Sequence, residues 1–131
     1  MQNKKKTAVL AMLLVSLLLF AGCKQNPSEE QLFSKLIAHF EDRGYPCDKI
    51  PLAQSTETMD VPIADASSWY LCTMGQEQVL IYFDESNRAD YLASQIDQEQ
   101  YGHVATYGLR FIVNYRGEDA GILEAMDAMP S

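Results

Sequence analysis

The chain has 131 residues, with 10 Lys and Arg against 18 Asp and Glu, which gives a formal net charge of −8 at pH 7. This balance argues against nucleic-acid binding, which relies on clusters of basic residues that displace counterions. It also argues against adhesion to anionic lipid through charge alone. The length suits one domain with one modest core.

The N-terminus has the pattern of an export signal. Lysines at residues 4–6 precede an apolar run over residues 8–21. The run is shorter than the roughly 20 residues that a membrane-spanning helix needs, and it lies within the range of a signal-peptide core. The small residues Ala21 and Gly22 leave room for a peptidase to cut before Cys23.

The segment Leu19-Phe20-Ala21-Gly22-Cys23 resembles the lipobox of bacterial lipoproteins. The resemblance implies that residues 1–22 are a signal peptide and that Cys23 is lipidated and becomes the new N-terminus. Phe20 departs from the Leu, Val or Ile usual three places before the cysteine. The protein is then expected on the extracytoplasmic face of the cell membrane, held by acyl chains. The alternative is an ordinary secretory signal, with Cys23 an incidental thiol.

Two further cysteines, Cys47 and Cys72, follow in the exported part. A pair of cysteines in a small exported domain is most simply interpreted as a disulfide. Their separation is far wider than the C-x-x-C spacing of a redox or zinc site. Two separate buried thiols are the alternative.

Residues 23–28 are predicted to form a lipidated tether, and residues 29–131 one domain. Ser28 and Gln31 have the spacing of a capping box at the start of a helix. An apolar stripe at helical spacing follows, made of Leu32, Phe33, Leu36, Ile37 and Phe40. Gly44 is placed to end this helix.

The middle of the chain predicts strands. Residues 47–52 predict a short strand, weakened by two prolines. Residues 68–74 and 78–83 are rich in aromatic and β-branched side chains and flank Gly75-Gln76-Glu77, which predicts a hairpin.

Helical and strand patterns alternate after the hairpin. Asp84 is predicted to cap a second helix, whose stripe is Ala89, Leu92, Ala93 and Ile96. A strand is predicted over residues 109–115. A last helix opens at residues 117–119 and ends before Pro130, with Ile122, Leu123, Met126 and Met129 facing inward.

These elements predict an α+β domain in the order α-(β)-β-β-α-β-α, in which helices pack on a small antiparallel sheet of three to four strands. The pattern is similar to small, uncharacterised lipoproteins of Gram-positive bacteria. The matching segments are residues 43–45, 80–85 and 111–119. This resemblance implies no activity and brings no catalytic residues.

Neither histidine has the spacing of a metal ligand. His39 lies between Leu36 and Phe40 on the first predicted helix, without a second histidine four residues on, which favours a position at the edge of the core or on the surface. His103 follows Gly102 in a predicted loop. A site formed by both histidines in space stays open. No metal and no cofactor is predicted, and the sequence has no Walker loop or dinucleotide fingerprint.

The sequence offers no clear catalytic arrangement. Ser67-Ser68 lacks the glycines of a G-x-S-x-G elbow. Asp84-Glu85 and Glu118-Asp119 stand at predicted helix starts, where the helix dipole accounts for them, and Glu41-Asp42 is expected on an exposed face. We therefore predict no catalytic residues.

The favoured hypothesis is a membrane-tethered extracytoplasmic domain that binds an envelope protein or a small ligand and catalyses nothing. The alternative is a small thiol-redox or hydrolytic enzyme that uses Cys47, Cys72 or a histidine. The many aromatic side chains, Trp69 among them, fit either an outward binding surface or ordinary strand composition.

Overall fold

A computed structural model describes residues 28–55, 59–63 and 68–130. The predicted signal peptide and lipobox, Cys23 included, lie outside the described residues, as does the predicted tether before Ser28. Internal contacts group the chain into residues 1–34 and residues 35–131. The described part of the first group is the beginning of a helix, and all strands belong to the second.

The described residues form four α-helices and five strands. In chain order these are α1 (Glu29–Glu41), β1 (Asp48–Pro51), a 3₁₀ turn (Leu52–Gln54), β2 (Trp69–Met74), β3 (Glu77–Phe83), α2 (Ala89–Ser94), α3 (Gln98–Tyr101), β4 (His103–Tyr107), β5 (Phe111–Tyr115) and α4 (Ala120–Asp127). The predicted α+β class is confirmed. The predicted strand number of three to four and the predicted element order are wrong.

All five strands belong to one antiparallel sheet with the spatial order β1-β2-β3-β5-β4. The strand missing from the prediction is β4, where a loop containing His103 was expected. Every residue of β4 is half-buried, so the strand lacks the apolar alternation by which a strand is recognised in a sequence.

The main hydrophobic cluster lies on one face of the sheet. Trp69 and Leu71 of β2 pack there with Leu80 and Tyr82 of β3. Residues of α2, Ile96 and the segment 59–63 cover them. Side chains of the opposite face, including Val79, Ile81, Val113 and Tyr115, are buried as well. Both faces are therefore sheltered, which is why tyrosines and phenylalanines next to core residues, such as Tyr70 and Phe83, are half-buried.

The first helix starts as its sequence predicts. The backbone N–H of Ser28 donates to Gln31 Oε1 at 3.0 Å, and the backbone N–H of Gln31 donates to Ser28 Oγ at 3.2 Å. This reciprocal pair is the predicted capping box. After the helix, Gly44 adopts a φ of +88°, a left-handed conformation that glycine reaches without strain.

Asp84 does not cap the second helix, so that prediction is wrong. The helix begins at Ala89 with Arg88 at the N-cap, and Asp84 lies one turn earlier. The Asp84 carboxylate is nearly fully buried and accepts the backbone N–H of Arg88 at 2.5 Å. The guanidinium of Arg88 also lies near this carboxylate, with Nη2 3.5 Å from Asp84 Oδ1. Asp84 thus closes the turn between β3 and α2.

The last helix has the predicted start. Asp119 is its N-cap and accepts the backbone N–H of Ile122 at 3.0 Å. The strand before it is shorter than predicted, because Leu109 belongs to a turn and is 55% exposed.

The two outer strands of the sheet are β1 and β4. Pro51, the last residue of β1, has no backbone N–H to offer a further strand. On β4, the backbone N–H of Val104 donates to the side chain of Gln98 at 3.4 Å.

Candidate functional site

A cleft opens where β3 and β5 separate. The last pair in their ladder is Val79 with Tyr115, and beyond it β3 continues to the two-residue turn at Gly75 and Gln76. The cavity at this point has a volume of about 220 Å³. We call it the hairpin cleft, and it is lined by Met59, Gln76, Glu77, Gln78, Leu80 and residues 114–117.

Side-chain alternation separates these residues between the two faces of the sheet. Gln78 lies on the face of the main hydrophobic cluster, and the register places Asn114 on that same face of β5; Arg116 follows directly after the strand and bonds to Asn114. Glu77 and Tyr115 project from the other face. The cleft therefore has an arginine and neutral amides on one side of the sheet and a carboxylate on the other.

Arg116 is held in place by three groups. Its Nε donates to Asn114 Oδ1 at 3.4 Å, its Nη2 donates to the backbone oxygen of Asp60, and its guanidinium lies 5.4 Å from the ring centre of Tyr101. Both acceptor oxygens, the Asn114 side-chain oxygen and the Asp60 backbone oxygen, belong to neutral groups. Among the residues that the structure describes, no carboxylate lies within ion-pair distance of Arg116.

Asn114 explains why Arg116 has a fixed orientation. Its side chain is 1% exposed, although it lies in the middle of an apolar strand. Its Nδ2 donates to the backbone oxygens of Tyr101 at 2.9 Å and His103 at 3.2 Å. Because both N–H groups are used, the amide cannot turn without losing bonds, and Oδ1 stays directed at Arg116.

Glu77 and Tyr115 lie on the face of the sheet opposite Asn114, and Tyr115 holds Glu77 in place there. The Tyr115 hydroxyl donates to Glu77 Oε2 at 2.8 Å and accepts the backbone N–H of Asp119 at 3.0 Å. Burial, above all, raises the pKa of Tyr115 above its ordinary value of 10.0; the Asp119 N–H opposes this shift and Glu77 adds to it. The phenol therefore stays neutral and remains a donor at neutral pH.

The polar chain continues from Asp119 to the segment after α1. The hydroxyl of Tyr45 donates to Asp119 Oδ1 at 2.8 Å. This hydrogen bond is the main reason why the pKa of Asp119 lies below its ordinary value of 3.8 and why the pKa of Tyr45 lies above 10.0. The Tyr45 ring passes so close to Gly121 that a Cβ there would overlap the hydroxyl. Glycine is thus required for the contact.

Replacing Tyr45 with phenylalanine is expected to lower the urea midpoint of unfolding at pH 7. Because the pKa of Asp119 is depressed in the folded state, its contribution to stability is present above its ordinary pKa and is lost as the pH falls through the folded value. The difference between wild type and Y45F should therefore shrink below about pH 4. Urea titrations between pH 2 and pH 7 measure this difference between the unfolding midpoints of the two proteins.

Tyr91→Phe is the matched control for this experiment, since Tyr91 is 65% exposed. Its urea midpoint should equal that of wild type at every pH. A Y45F variant whose deficit is the same at pH 2 and at pH 7 would contradict the role assigned to the Asp119 carboxylate.

A second cavity, of about 430 Å³, lies between the end of α1 and α4. Arg43, one of its charged lining residues, is bonded to α1. Arg43 Nη1 donates to the backbone oxygen of His39 at 2.8 Å and lies 3.3 Å from His39 Nδ1. His39 Nε2 is 2.6 Å from the backbone oxygen of Ala125, which can only accept, so this nitrogen carries the proton. His39 therefore joins the two helices.

The histidines and cysteines singled out from the sequence have separate structural partners. His103 opens β4, not a loop, and its Nε2 lies 3.0 Å from Asp127 Oδ1. Cys47 and Cys72 are paired in a disulfide, with their Cα atoms 5.7 Å apart. The bond joins the segment before β1 to the neighbouring strand β2, and it leaves neither sulfur as a thiol.

Sequence reasoning missed Arg116, Asn114 and Glu77. One signal for them exists: Asn114 interrupts the apolar run Phe111-Ile112-Val113 just before Tyr115. A polar side chain at a buried strand position needs hydrogen-bond partners, so other polar groups must lie close to it. Arg116 follows two residues later, directly after the strand.

In the part of the chain that the structure describes, no three His, Cys, Asp or Glu side chains come together as metal ligands. Within the same residues, no helix has the length and apolar character needed to cross a membrane. No protein-family model, curated protein or solved structure matches the chain.

Proposed function

We propose that the protein is a membrane-anchored extracytoplasmic lipoprotein whose folded part binds a ligand or partner and is not a catalyst. The N-terminal lysines, the apolar run and the small residues before Cys23 support the anchor. The anchor is needed for membrane attachment because the charge of the chain is unfavourable for binding anionic lipid directly.

The Cys47–Cys72 disulfide is the observation that carries the extracytoplasmic location. Disulfides persist in oxidising compartments outside the cytoplasm and are rare where thiols are kept reduced. The pair also supports a structural role for both cysteines, since it attaches an outer strand to the sheet.

The partners of the histidines support a non-catalytic domain. His39 is bonded to the backbone of α4, and His103 is paired with Asp127. General acid-base or nucleophilic catalysis would need such groups near an activated side chain in one cavity. The hairpin cleft instead places an arginine beside neutral amides, with the Glu77 carboxylate held on the other face of the sheet by Tyr115, and this combination suits binding.

Replacing Cys23 with serine tests the anchor. We expect the variant to leave the membrane fraction or to accumulate as an uncleaved precursor, while its folded part stays intact because the tether precedes every described helix and strand. Wild-type protein should incorporate radiolabelled palmitate, and the variant should not. Cell fractionation and labelling measure both effects.

The control is the double variant Cys47→Ala, Cys72→Ala, which keeps Cys23 and should still be labelled and membrane-bound. Wild-type protein without label, or a Cys23→Ser variant processed and membrane-bound like wild type, would show that the anchor lies elsewhere.

A further inference from the structure

We propose that the hairpin cleft is a binding site for a small carboxylate ligand, which Arg116 holds by its guanidinium and Gln76 and Gln78 orient by their amides. The proposal names the ligand class of the binding function proposed above and rests on it.

Among the described residues, no carboxylate lies within ion-pair distance of Arg116, although the chain has 18 acidic residues against 10 basic ones. Its described hydrogen-bond partners are the side-chain oxygen of Asn114 and the backbone oxygen of Asp60. By contrast, Arg88 lies 3.5 Å from the Asp84 carboxylate. Arg116 is exposed, so water screens part of its attraction for an anion, but its described hydrogen-bond partners carry no charge that would compete with one.

The guanidinium is already oriented for binding. The buried Asn114 amide accepts from Nε, the Asp60 carbonyl accepts from Nη2, and the guanidinium lies 5.4 Å from the centre of the Tyr101 ring. Nη1 has no hydrogen-bond partner among the described residues, so the outer edge of the guanidinium can donate to a ligand. A planar group with N–H donors along one edge matches the two oxygens of a carboxylate.

The neighbouring groups favour a carboxylate attached to an amide or another small polar unit. Within the described residues, the side chains of Gln76 and Gln78 make no hydrogen bonds, and each offers a donor and an acceptor. Leu80 and Met59 add an apolar wall. The Glu77 carboxylate projects from the other face of the sheet, where the Tyr115 hydroxyl holds it, so it does not occupy this place.

The size of the cleft limits the ligand. Its volume of about 220 Å³ is below the roughly 300–1,000 Å³ of sites for drug-sized molecules. An N-acylated amino acid, or the C-terminal residue of a peptide, has the required carboxylate, amide and short side chain. The two sources share this chemistry, and the experiment separates them.

The test uses the full-length protein in nonionic detergent and ligand-observed NMR titrations. N-acetyl-L-alanine should bind, and N-acetyl-L-alaninamide, which lacks only the carboxylate, should bind at least about tenfold more weakly, as expected for the loss of one charge-assisted contact. A peptide ending in a free alanine should compete with N-acetyl-L-alanine if chain termini also fit. Failure of the peptide to compete would assign the cleft to free small molecules.

Arg116→Gln should weaken the binding of N-acetyl-L-alanine about tenfold or more. Arg116→Lys should recover part of it, because lysine keeps the charge but not the planar edge. Arg110→Gln is the matched control: Arg110 is bonded to Asn87 outside the cleft, and its loss should leave affinity unchanged. Circular dichroism checks that each variant is folded.

Equal binding of N-acetyl-L-alanine and its amide would overturn the proposal, and this comparison on the wild-type protein holds even if an Arg116 variant fails to fold. Equally tight binding of sulfate would overturn the carboxylate class, since any anion would then suffice. Neither result affects palmitate labelling at Cys23, so the failure of this site is distinguishable from the failure of the proposed lipoprotein function.

Discussion

Replacing Trp69 with alanine should reduce the free energy of unfolding by about 3–5 kcal/mol, the range found for deleting a large buried aromatic side chain. Trp69 is fully buried in the main hydrophobic cluster, and its ring lies 5.2 Å from that of Tyr82, its partner in the sheet. Its Nε1 also donates to the backbone oxygen of Ile63 at 3.2 Å. The substitution therefore removes core volume and one of the hydrogen bonds that hold the segment 59–63 over the sheet.

Urea unfolding followed by circular dichroism measures this loss, since Trp69 is the only tryptophan and its fluorescence disappears with it. Trp69→Phe should be less harmful, because it keeps most of the ring packing and loses the hydrogen bond. Leu109→Ala, at an exposed turn, should stay within about 0.5 kcal/mol of wild type. A loss below about 1 kcal/mol for Trp69→Ala would contradict the position assigned to this side chain.

Reduction of the Cys47–Cys72 disulfide should have the next largest effect. The bond closes a loop with a sequence separation of 25 residues, for which the chain-entropy relation gives about 3.5 kcal/mol of stabilisation at 25 °C. We expect the urea midpoint of wild-type protein to fall when dithiothreitol is added. Mass spectrometry of the protein isolated from cells gives the redox state directly.

The double variant Cys47→Ala, Cys72→Ala is the control, and its urea midpoint should not respond to dithiothreitol. A wild-type midpoint that is equally insensitive would mean that the bond is absent or contributes nothing. A reactive, low-pKa thiol at Cys47 or Cys72 would instead favour the alternative hypothesis of a small thiol-redox enzyme.

Local sequence signals predicted the elements whose structure depends on near neighbours. Ser28 and Gln31 are three residues apart and bond each other directly, so the capping box could be recognised without any tertiary information. The hairpin was recognised for the same reason, since Gly75 lies between two apolar runs. Only its loop was shorter than expected, because Glu77 pairs with Met74.

Elements that depend on distant partners were predicted poorly. β4 is a strand because β5 pairs with it, and no residue from His103 to Tyr107 is buried deeply enough to give an alternating pattern. Asp84 has the residue type of an N-cap, but it is buried and closes a turn before the helix. Its role depends on how tightly the chain turns after β3, which the residue type alone does not determine.

Most of the candidate site could not be predicted from the sequence, for a related reason. Asp60 and Arg116 are brought together by the segment that covers the sheet, and Asn114 reaches Tyr101 only because β4 folds back beside β5. Single charged residues far apart in a chain carry no spacing signal. Asn114, a polar residue within an apolar strand, is the exception that sequence analysis could have used.

The two edge strands of the sheet affect how copies of the chain can associate with one another. An outer strand with free backbone groups invites another chain to add itself and aggregate. Here β1 ends in Pro51, and the Gln98 side chain occupies the outward N–H of Val104 on β4. If the chain is anchored to a membrane as proposed, its copies meet at high local concentration, and these small obstructions would then oppose edge-to-edge polymerisation.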